Sequence, residues 1–277
     1  MKRLTAILMA LLIALCPCVQ AEEDFGGEGM IVFPDGTQAD SFLSGANPEN
    51  HDPFAPEILE KTIFPPDDRV KVKKPKEYPY SAIALIDVQG SCGCNWYCTG
   101  AMVSEEALLT CAHTLVCYKH GKWAKKATFC FGYKSRKNYL YRYKSKWTAW
   151  VGSTFQNGYA EGSADDWALV RFEKKVGKKT GWFGMRWATD DELSGAHVCM
   201  AGFGGEDTLR YCWGTINHVW EKEIGCDIDT LPGNSGSPVF DENYYIVALF
   251  TMLGDEYSIC RRLTGEIHQK MTENGLF

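Results

Sequence analysis

From about residue 78 onward the chain is a succession of short apolar runs rich in β-branched and aromatic residues, separated by residues that favour turns. Runs of this length and spacing are typical of an all-β domain. The runs that we predict as strands are 80–88, 98–103, 107–109, 127–133, 148–151, 167–172, 197–203, 211–218, 237–240 and 245–251. Residues 265–274 are polar with spaced apolar positions and are predicted as a terminal helix. We therefore expect an all-β fold with a C-terminal helix.

Ser235 lies in the segment GNSGSP of residues 233–238. A serine between glycines can occupy a tight turn with its hydroxyl exposed, while neighbouring backbone N–H groups converge on one point. The segment predicts a nucleophile with an oxyanion hole formed by the N–H groups of Gly233 and Ser235. Taken alone, a serine in a glycine-rich turn is more often structural, so the interpretation depends on partners elsewhere in the chain.

A serine nucleophile needs a base and a carboxylate that orients this base, and the chain contains candidates for both. His113 follows the apolar run 107–109 and a few small residues, which predicts an imidazole at the end of a strand. Asp166 directly precedes the run 167–172, where an ionised carboxylate can accept from the imidazole and fix its tautomer. Asp165 is the competing acid.

The order His113, Asp166, Ser235 is that of the chymotrypsin-like serine proteases, whereas subtilisins run Asp, His, Ser and α/β-hydrolases run Ser, Asp, His. The chain resembles this family, and within it the bacterial glutamyl endopeptidase branch, in ordered blocks from about residue 63 to 255. Besides the blocks around the three candidate residues, the matching pieces are DDR (67–69), YPYSAI (78–83), CTG (98–100) and GWFG (181–184).

The resemblance implies two packed six-stranded antiparallel β-barrels, with His113 and Asp166 in the first and Ser235 in the second. It favours Asp166 over Asp165, because the family places its acid directly before a bulky residue and alanine. It also implies an endopeptidase that forms an acyl-enzyme on protein or peptide substrates, works as a monomer, and needs neither cofactor nor metal. A catalytically silent binding protein of the same fold is the alternative.

Three residues are predicted to shape the pocket for the substrate side chain that precedes the cleaved bond (P1). The resemblance matches Thr230 to a threonine of glutamyl endopeptidases, but Phe250 stands where those enzymes carry a histidine. Asp229 occupies the position of the aspartate with which trypsins bind Lys or Arg. Because burying an unpaired carboxylate is costly, we rank P1 as Lys or Arg first, apolar second and Glu third.

The amino terminus has the pattern of a secretory signal, with basic residues 2–3, the apolar stretch 4–15 and small residues before a cleavage site after Ala21. We therefore predict a signal peptide at residues 1–21 and a secreted protein, extracellular or periplasmic. No later segment approaches the ~20 apolar residues of a membrane-spanning helix. Cys16 and Cys18 raise a lipoprotein alternative, for which Leu15 and Pro17 are poor neighbours.

Residues 22–62 contain ten acidic residues and one lysine, and they lack periodic apolar patterning. We predict an acidic pro-segment here, with a merely disordered solubilising tail as the alternative. The resemblance places the mature amino terminus near Ile63, which makes the protein a zymogen with a protease domain at 63–277. Trypsins pair the freed amino group with an aspartate directly before the nucleophile, but this chain has Asn234 there, so that switch cannot operate.

Twelve cysteines, ten of them beyond the signal, are typical of an exported protein with disulfide bonds. Family geometry suggests Cys98 with Cys111 or Cys117. The other pairs that the resemblance suggests are Cys199 with Cys212 and Cys226 with Cys260. The alternative is a zinc site with Cys92, Cys94, Cys98 and Cys130 as ligands.

Three clusters of basic residues, in 71–74, 134–146 and 174–179, of which the second contains three tyrosines, raise the alternative of a nucleic-acid or anionic-surface binder. The net charge of the whole chain is −6, and residues 22–62, with ten acidic residues and one lysine, account for more than all of it. Because residues 63–277 carry a net charge of only about +1, we interpret these clusters as solvated loops and strand edges. We expect neither nucleic acid nor membrane as a partner.

Overall fold

The computed structural model describes residues 26–32, 66–117, 119–152, 165–205, 208–254 and 256–275. The first half of the described chain contains β1 (Gly27–Val32), β2 (Val70–Lys71), β3 (Ile83–Gly90), β4 (Asn95–Met102), β5 (Ala107–Thr110), β6 (Val116–Cys117), β7 (Lys122–Phe131), β8 (Tyr141–Tyr143), β9 (Trp147–Val151) and β10 (Ala168–Phe172). The second half contains α1 (Gly177–Thr180), β11 (Gly184–Met185), α2 (Asp190–Leu193), β12 (His197–Phe203), β13 (Leu209–Val219), β14 (Glu223–Cys226), β15 (Pro238–Phe240), β16 (Tyr245–Leu253), β17 (Ser258–Arg262) and α3 (Gly265–Glu273).

The first barrel is a closed sheet in the order β1, β9, β10, β5, β4, β3, β7 and back to β1. Strand β9 buries every second residue, as the period of two requires, whereas β5 is buried along its whole length. Aromatic side chains fill its centre: Phe129 and Tyr143 lie with ring centroids 4.8 Å and 4.5 Å from that of Phe172. Such tilted ring pairs pack favourably beyond the area that they bury.

The seventh strand of this barrel, β1, comes from within the predicted pro-segment. It runs parallel to β9 and antiparallel to β7, and so lies between two strands that would otherwise be neighbours. Glycines permit β1 to lie this close to its neighbours. A Cβ on Gly29 would lie 2.0 Å from the ring of Trp147, and one on Gly27 would lie 2.0 Å from the carbonyl oxygen of Ser145, so any larger residue would clash. The prediction of six strands was therefore short by one in this barrel.

The second barrel is closed by six strands in the order β16, β15, β12, β13, β14, β17 and back to β16. This number agrees with the prediction. The short β2 pairs with β13 from outside the barrel, and β11 pairs with β16. The terminal helix α3 lies where it was predicted and buries Ile267 and Met271. The predicted fold class, two β-barrels with a C-terminal helix, is thus confirmed.

All ten cysteines of the described residues are thiols in this structure, so none of the predicted disulfides is formed. Cys98 lies 4.0 Å or less from the carbonyl oxygens of Ile86 and Thr114 rather than on a sulfur partner. The strand register places Cys212 opposite Met200 and not opposite Cys199. The thiols of Cys226 and Cys260 do contact each other, and a disulfide between them stays a prediction.

The predicted signal peptide and the cleavage region near Ile63 lie outside the described residues. Among the described residues, no helix is long and apolar enough to cross a membrane.

Candidate active site

His113 and Asp166 face each other across the end of the first barrel. His113 begins a 3₁₀ turn, His113–Leu115, three residues after β5 ends, and Asp166 lies two residues before β10, the strand that pairs with β5. The Asp166 carboxylate accepts twice from the same residue: Oδ1 lies 2.9 Å from the backbone nitrogen of His113, and Oδ2 lies 2.5 Å from its Nδ1. Because one carboxylate bonds to both the backbone nitrogen and the ring of His113, the imidazole is held in one orientation. Its Nε2 points away from Asp166.

Asp165, the competing acid, has a different partner. Its Oδ1 lies 3.3 Å from Nζ of Lys222, whereas both bonds to His113 described above come from Asp166. The next residue, Trp167, is one of the largest fully buried side chains of the protein. The two neighbouring acids thus have different partners, Lys222 for Asp165 and His113 for Asp166.

The buried surroundings of Asp166 include a cation and a thiol. Burial lowers the pKa of the Arg261 guanidinium, against the opposing effect of nearby carboxylates that include Glu266, Asp165 and Asp166. Cys111 lies with His113 and Asp166 in a group whose ligating atoms are all within 4.8 Å of one another. Burial, followed by the Asp166 charge, raises the pKa of the Cys111 thiol well above its usual value, and its Sγ donates to the Phe250 carbonyl at 3.1 Å. His113 and Asp166 already bond to each other through Nδ1 and Oδ2, so this group is suited to proton transfer.

Ser235 occupies a turn between β14 and β15, and two glycines flank it in left-handed conformations. Gly233 has φ +102° and Gly236 has φ +82°. A Cβ on Gly236 would lie 2.1 Å from Oγ1 of Thr110, so the turn can approach the first barrel only because this residue is glycine. The carbonyl oxygen of Ser235 accepts from the backbone nitrogen of Thr99 at 3.0 Å. The predicted nucleophile is therefore docked beside the strand that precedes His113.

Asn234, which stands where trypsins carry an aspartate, braces the turn from within. Its Oδ1 accepts from the backbone nitrogen of Leu231 at 2.9 Å, and its Nδ2 lies 3.5 Å from Oγ of Ser237. The side chain is buried, and a Cβ on Gly204 would lie 1.9 Å from its Oδ1. Because the Asn234 side chain is neutral and bonded within the turn, it is not a partner for an amino group freed by processing.

The three predicted pocket residues lie around this turn, all of them buried. Oγ1 of Thr230 lies 3.2 Å from Oγ of Ser258 on β17. Oδ2 of Asp229 accepts from the backbone nitrogen of Asp68 at 3.1 Å, in the segment just before β2. The backbone of Phe250 bonds the turn itself, because its nitrogen donates to the Ser237 carbonyl and its carbonyl accepts from Gly236.

Residues 98–249 match the trypsin-like peptidase domain. This match covers more than half of the chain. The chain belongs to the trypsin-like peptidase family. Its candidate base, acid and nucleophile turn all lie within the matched residues.

Two curated proteins are similar to this trypsin-like peptidase. A glutamyl endopeptidase of Bacillus licheniformis is 30% identical over 190 residues, which cover 66% of this chain and 56% of that protein. An extracellular metalloprotease of Bacillus subtilis is 24% identical over 218 residues, which cover 74% of this chain and 67% of that protein. This trypsin-like peptidase thus spans little more than half of the length of the first relative.

Among solved structures, a Glu endopeptidase in complex with MPD has a similar fold. The TM-score is 0.66 at 21% identity, over 76% of this chain and 97% of that chain. The likeness shows a shared two-barrel architecture.

Thr99 is the residue of this trypsin-like peptidase site that sequence reasoning missed. Besides the bond to Ser235, its Oγ1 donates to the Gly233 carbonyl at 2.9 Å and accepts from the backbone nitrogen of Phe203 at 3.0 Å. One side chain thus joins the first barrel to the nucleophile turn and to β12 of the second. The resemblance includes the block CTG at 98–100, but no feature of the sequence assigns the threonine this role.

Proposed function

We propose that this protein is a secreted serine endopeptidase, made as a zymogen, that hydrolyses peptide bonds through Ser235, His113 and Asp166. The observation that carries the proposal is the pair of hydrogen bonds between Asp166 and His113. Oδ1 lies 2.9 Å from the backbone nitrogen and Oδ2 lies 2.5 Å from Nδ1, at the barrel edge where the Ser235 turn docks. A carboxylate that holds both the backbone and Nδ1 of a histidine leaves Nε2 as the basic nitrogen on the cleft side.

In the proposed mechanism, Nε2 of His113 takes the Ser235 proton as the serine oxygen bonds to the peptide carbonyl carbon. The carbonyl oxygen becomes an oxyanion, which accepts from the N–H groups of Gly233 and Ser235. The imidazolium then gives its proton to the leaving amine as the C–N bond breaks. Water, deprotonated by the same nitrogen, attacks the resulting ester and releases the acid and the free serine. Asp166 stabilises the imidazolium throughout.

Replacement of Ser235 by alanine tests the assignment. We expect kcat to fall by about 10⁵-fold or more, as knockouts of such a nucleophile do. Tm should be unchanged, because the hydrogen bonds described for this turn are made by its backbone, Asn234 and Thr99. Ser194→Ala, an exposed serine at the end of α2, is the matched control and should keep full activity. A serine-directed phosphonate should label the wild type and Ser194→Ala but not Ser235→Ala. Wild-type protein with neither turnover nor labelling would support the silent binding protein.

The P1 side chain is chosen by the pocket around Asp229, Thr230 and Phe250. Asp229 is the basis for Lys or Arg, the first preference, and Phe250 for an apolar side chain, the second. The relative named a glutamyl endopeptidase supports Glu, although this chain has Phe250 where the resemblance places a histidine. A peptide library digested by the processed protein and read by mass spectrometry discriminates the three. If cuts follow Lys or Arg, Asp229→Asn should abolish them; cuts that survive this change would remove Asp229 from the pocket.

Export and processing complete the proposal. The signal pattern at residues 1–21 and the name of the Bacillus subtilis relative, which describes that protein as extracellular, support secretion. Processing near Ile63 would leave a protease domain at 63–277 that acts as a monomer on protein or peptide substrates. Amino-terminal sequencing of protein recovered from the culture medium tests both steps. Recovery of all protein in the cell, with Met1 intact, would contradict them.

A further inference from the structure

Three cysteines and one histidine lie together at one end of the first barrel, outside the proposed active site. Cys92 and Cys94 belong to the turn between β3 and β4, while Cys117 and His120 lie at the end of β6 and in the turn that follows it. β3 and β7 are paired antiparallel, which brings the two turns to the same end of the sheet. The backbone nitrogen of Ser91 donates to the Trp123 carbonyl at 3.0 Å and holds the turns side by side.

The four side chains converge on one point. Nδ1 of His120 lies 3.4 Å from Sγ of Cys94 and 3.6 Å from Sγ of Cys117. All four ligating atoms, including Sγ of Cys92, lie within 4.8 Å of one another. In a tetrahedral zinc site with Zn–S near 2.3 Å and Zn–N near 2.0–2.1 Å, ligand atoms are about 3.5–3.8 Å apart. The cluster therefore has nearly the size of such a coordination shell.

The local backbone turns the four side chains inward. Gly93, between the first two cysteines, has φ +84°, and Gly121, after the histidine, has φ +59°. The nitrogens of His120 and Gly121 both donate to the Cys117 carbonyl, at 3.2 Å and 2.8 Å, which folds the histidine back over the cysteine. Left-handed glycines at these places permit tight turns that an ordinary residue would strain.

We propose that Cys92, Cys94, Cys117 and His120 form a structural zinc site. Three thiolates and one imidazole are a preferred ligand set for Zn²⁺, and four protein ligands leave no open position for catalysis. The site has a net charge of −1 when zinc is bound, and Lys119 and Lys122 flank its ligands in the sequence. The proposal departs from our sequence-based expectation of no metal. It also replaces Cys98 and Cys130, the ligands named in the zinc alternative, with Cys117 and His120.

A disulfide would engage fewer of these four side chains than a metal ion does. Three thiols allow one disulfide and leave one cysteine and the histidine without a role. Zinc uses all four groups, whose ligating atoms already lie within 4.8 Å of one another.

The site braces the segment that carries His113. Cys117 follows the 3₁₀ turn that begins at His113. On the other side of the site, Trp96, two residues after Cys94, donates from Nε1 to the Thr114 carbonyl at 2.8 Å. A metal that joins Cys94 to Cys117 therefore links the β3–β4 turn to the turn of the proposed base. It has a positioning role and takes no part in the chemistry.

Elemental analysis of the full-length chain tests the proposal. The protein is purified with a mild reductant and dialysed against metal-free buffer, and we expect about one zinc per chain. Co²⁺ added to the zinc-depleted protein should give the absorption of a tetrahedral thiolate site. Cys92→Ser and His120→Ala change exposed side chains and should fold, yet each should lower zinc affinity by at least tenfold. His197→Ala, a change at an exposed histidine stacked on Trp213, is the matched control and should bind zinc as the wild type does.

Three results would overturn the proposal. The first is wild-type protein without zinc and without the cobalt spectrum. The second is equal zinc content in the wild type, Cys92→Ser and His120→Ala, which would mean an adventitious ion only. The third is a disulfide between two of the three cysteines, found by peptide mapping of alkylated protein that was never reduced. Metal content is measured without a peptidase assay, so these results do not depend on the proposed function.

Discussion

The two barrels contribute to the site in different ways. The first barrel supplies both His113 and Asp166, and the bonds between them lie within that barrel. The second barrel supplies Ser235, but the turn that carries it is bonded to Thr99 of the first barrel. We call this boundary between the two barrels the seam. The two bonds that orient the proposed base thus lie within one barrel, whereas the position of the proposed nucleophile depends on how the two barrels meet.

The barrels also differ in how they close. The second closes with six strands that follow one another within residues 197–262. The first incorporates β1, which is separated from the next described residue by the undescribed stretch 33–65. The predicted pro-segment is therefore in part a structural element of the barrel that holds the proposed base.

The largest effect that tests this comparison is expected from Asp166→Asn. The asparagine keeps the size of the side chain but offers Nδ1 of His113 an amide in place of an anion. The imidazole can then carry its proton on Nε2, where it cannot act as the base. In a triad this change lowers kcat about 10⁴-fold. Peptide hydrolysis by the processed protein, followed as kcat and KM separately, checks the expectation.

Asp165→Asn is its control. It removes the bond to Lys222, whose side chain is well exposed, and we expect kcat within a few fold of the wild type. A loss in Asp165→Asn as large as that in Asp166→Asn would reverse our choice of acid.

The second effect is expected from Thr99→Val, which removes the two side-chain bonds across the seam, leaves the backbone bond to Ser235, and keeps the shape of the side chain. The Gly233 carbonyl and the Phe203 nitrogen would lose their partner, at a cost of about 2–4 kcal/mol in the free energy of unfolding. A displaced nucleophile would lower kcat by up to about 100-fold. Urea denaturation and steady-state kinetics measure the two quantities.

Thr128→Val is the matched control, because Thr128 is a buried threonine of the first barrel whose Oγ1 accepts from the nitrogen of Gly26 at 3.1 Å. We expect a cost of about 1 kcal/mol in stability and no change in kcat. If both variants lose activity in proportion to stability, the seam has no special role in placing Ser235.

The part of the site that could be predicted from the sequence is the part with a local signature. His113 and Asp166 border apolar strands, and Ser235 lies between glycines, so each is identified by its immediate neighbours. Thr99 has no such signature, because its role depends on Gly233 and Phe203, which lie more than a hundred residues away. The same holds for Cys117 and His120, which meet Cys92 and Cys94 only once β3 and β7 pair.

Two of the strands that sequence reasoning missed, β1 and β17, have compositions that are unusual for strands. β1 has glycines where strand formers are expected, and they serve as space for Trp147 and the neighbouring backbone. β17 ends in two arginines, of which Arg261 is fully buried and donates to the Lys222 carbonyl at 3.4 Å. In both cases tertiary packing overrides the local preference.

The third effect is expected from Gly29→Ala, which tests the unequal closure of the barrels. The new Cβ would meet the Trp147 ring at 2.0 Å, so the ring or β1 must shift, at about 1–3 kcal/mol. Gly265→Ala is the matched control, since a Cβ there meets nothing within 4 Å and alanine favours the helix α3. Thermal unfolding of the full-length variants checks this. An unchanged Tm in Gly29→Ala would show that β1 is not a strand of the first barrel.

The smallest effect concerns the segment that docks on the second barrel before β2. A side-chain hydrogen bond from Arg69, whose NH2 lies 2.9 Å from Oδ2 of Asp67, lowers the pKa of the Asp67 carboxyl. A lowered pKa adds stability above the unfolded value near 3.8, and this contribution is lost as the pH falls through the folded value. Since Asp67 is partly exposed, solvent screening limits the contribution to about 0.5 kcal/mol or less. Asp67→Asn should therefore lower Tm slightly at pH 7 and not at pH 3.

Because the first barrel has no share in this pair, Gly29→Ala should lower Tm by the same amount with or without Asp67→Asn. Coupling between the two changes would mean that the amino-terminal segment joins the barrels into one unit.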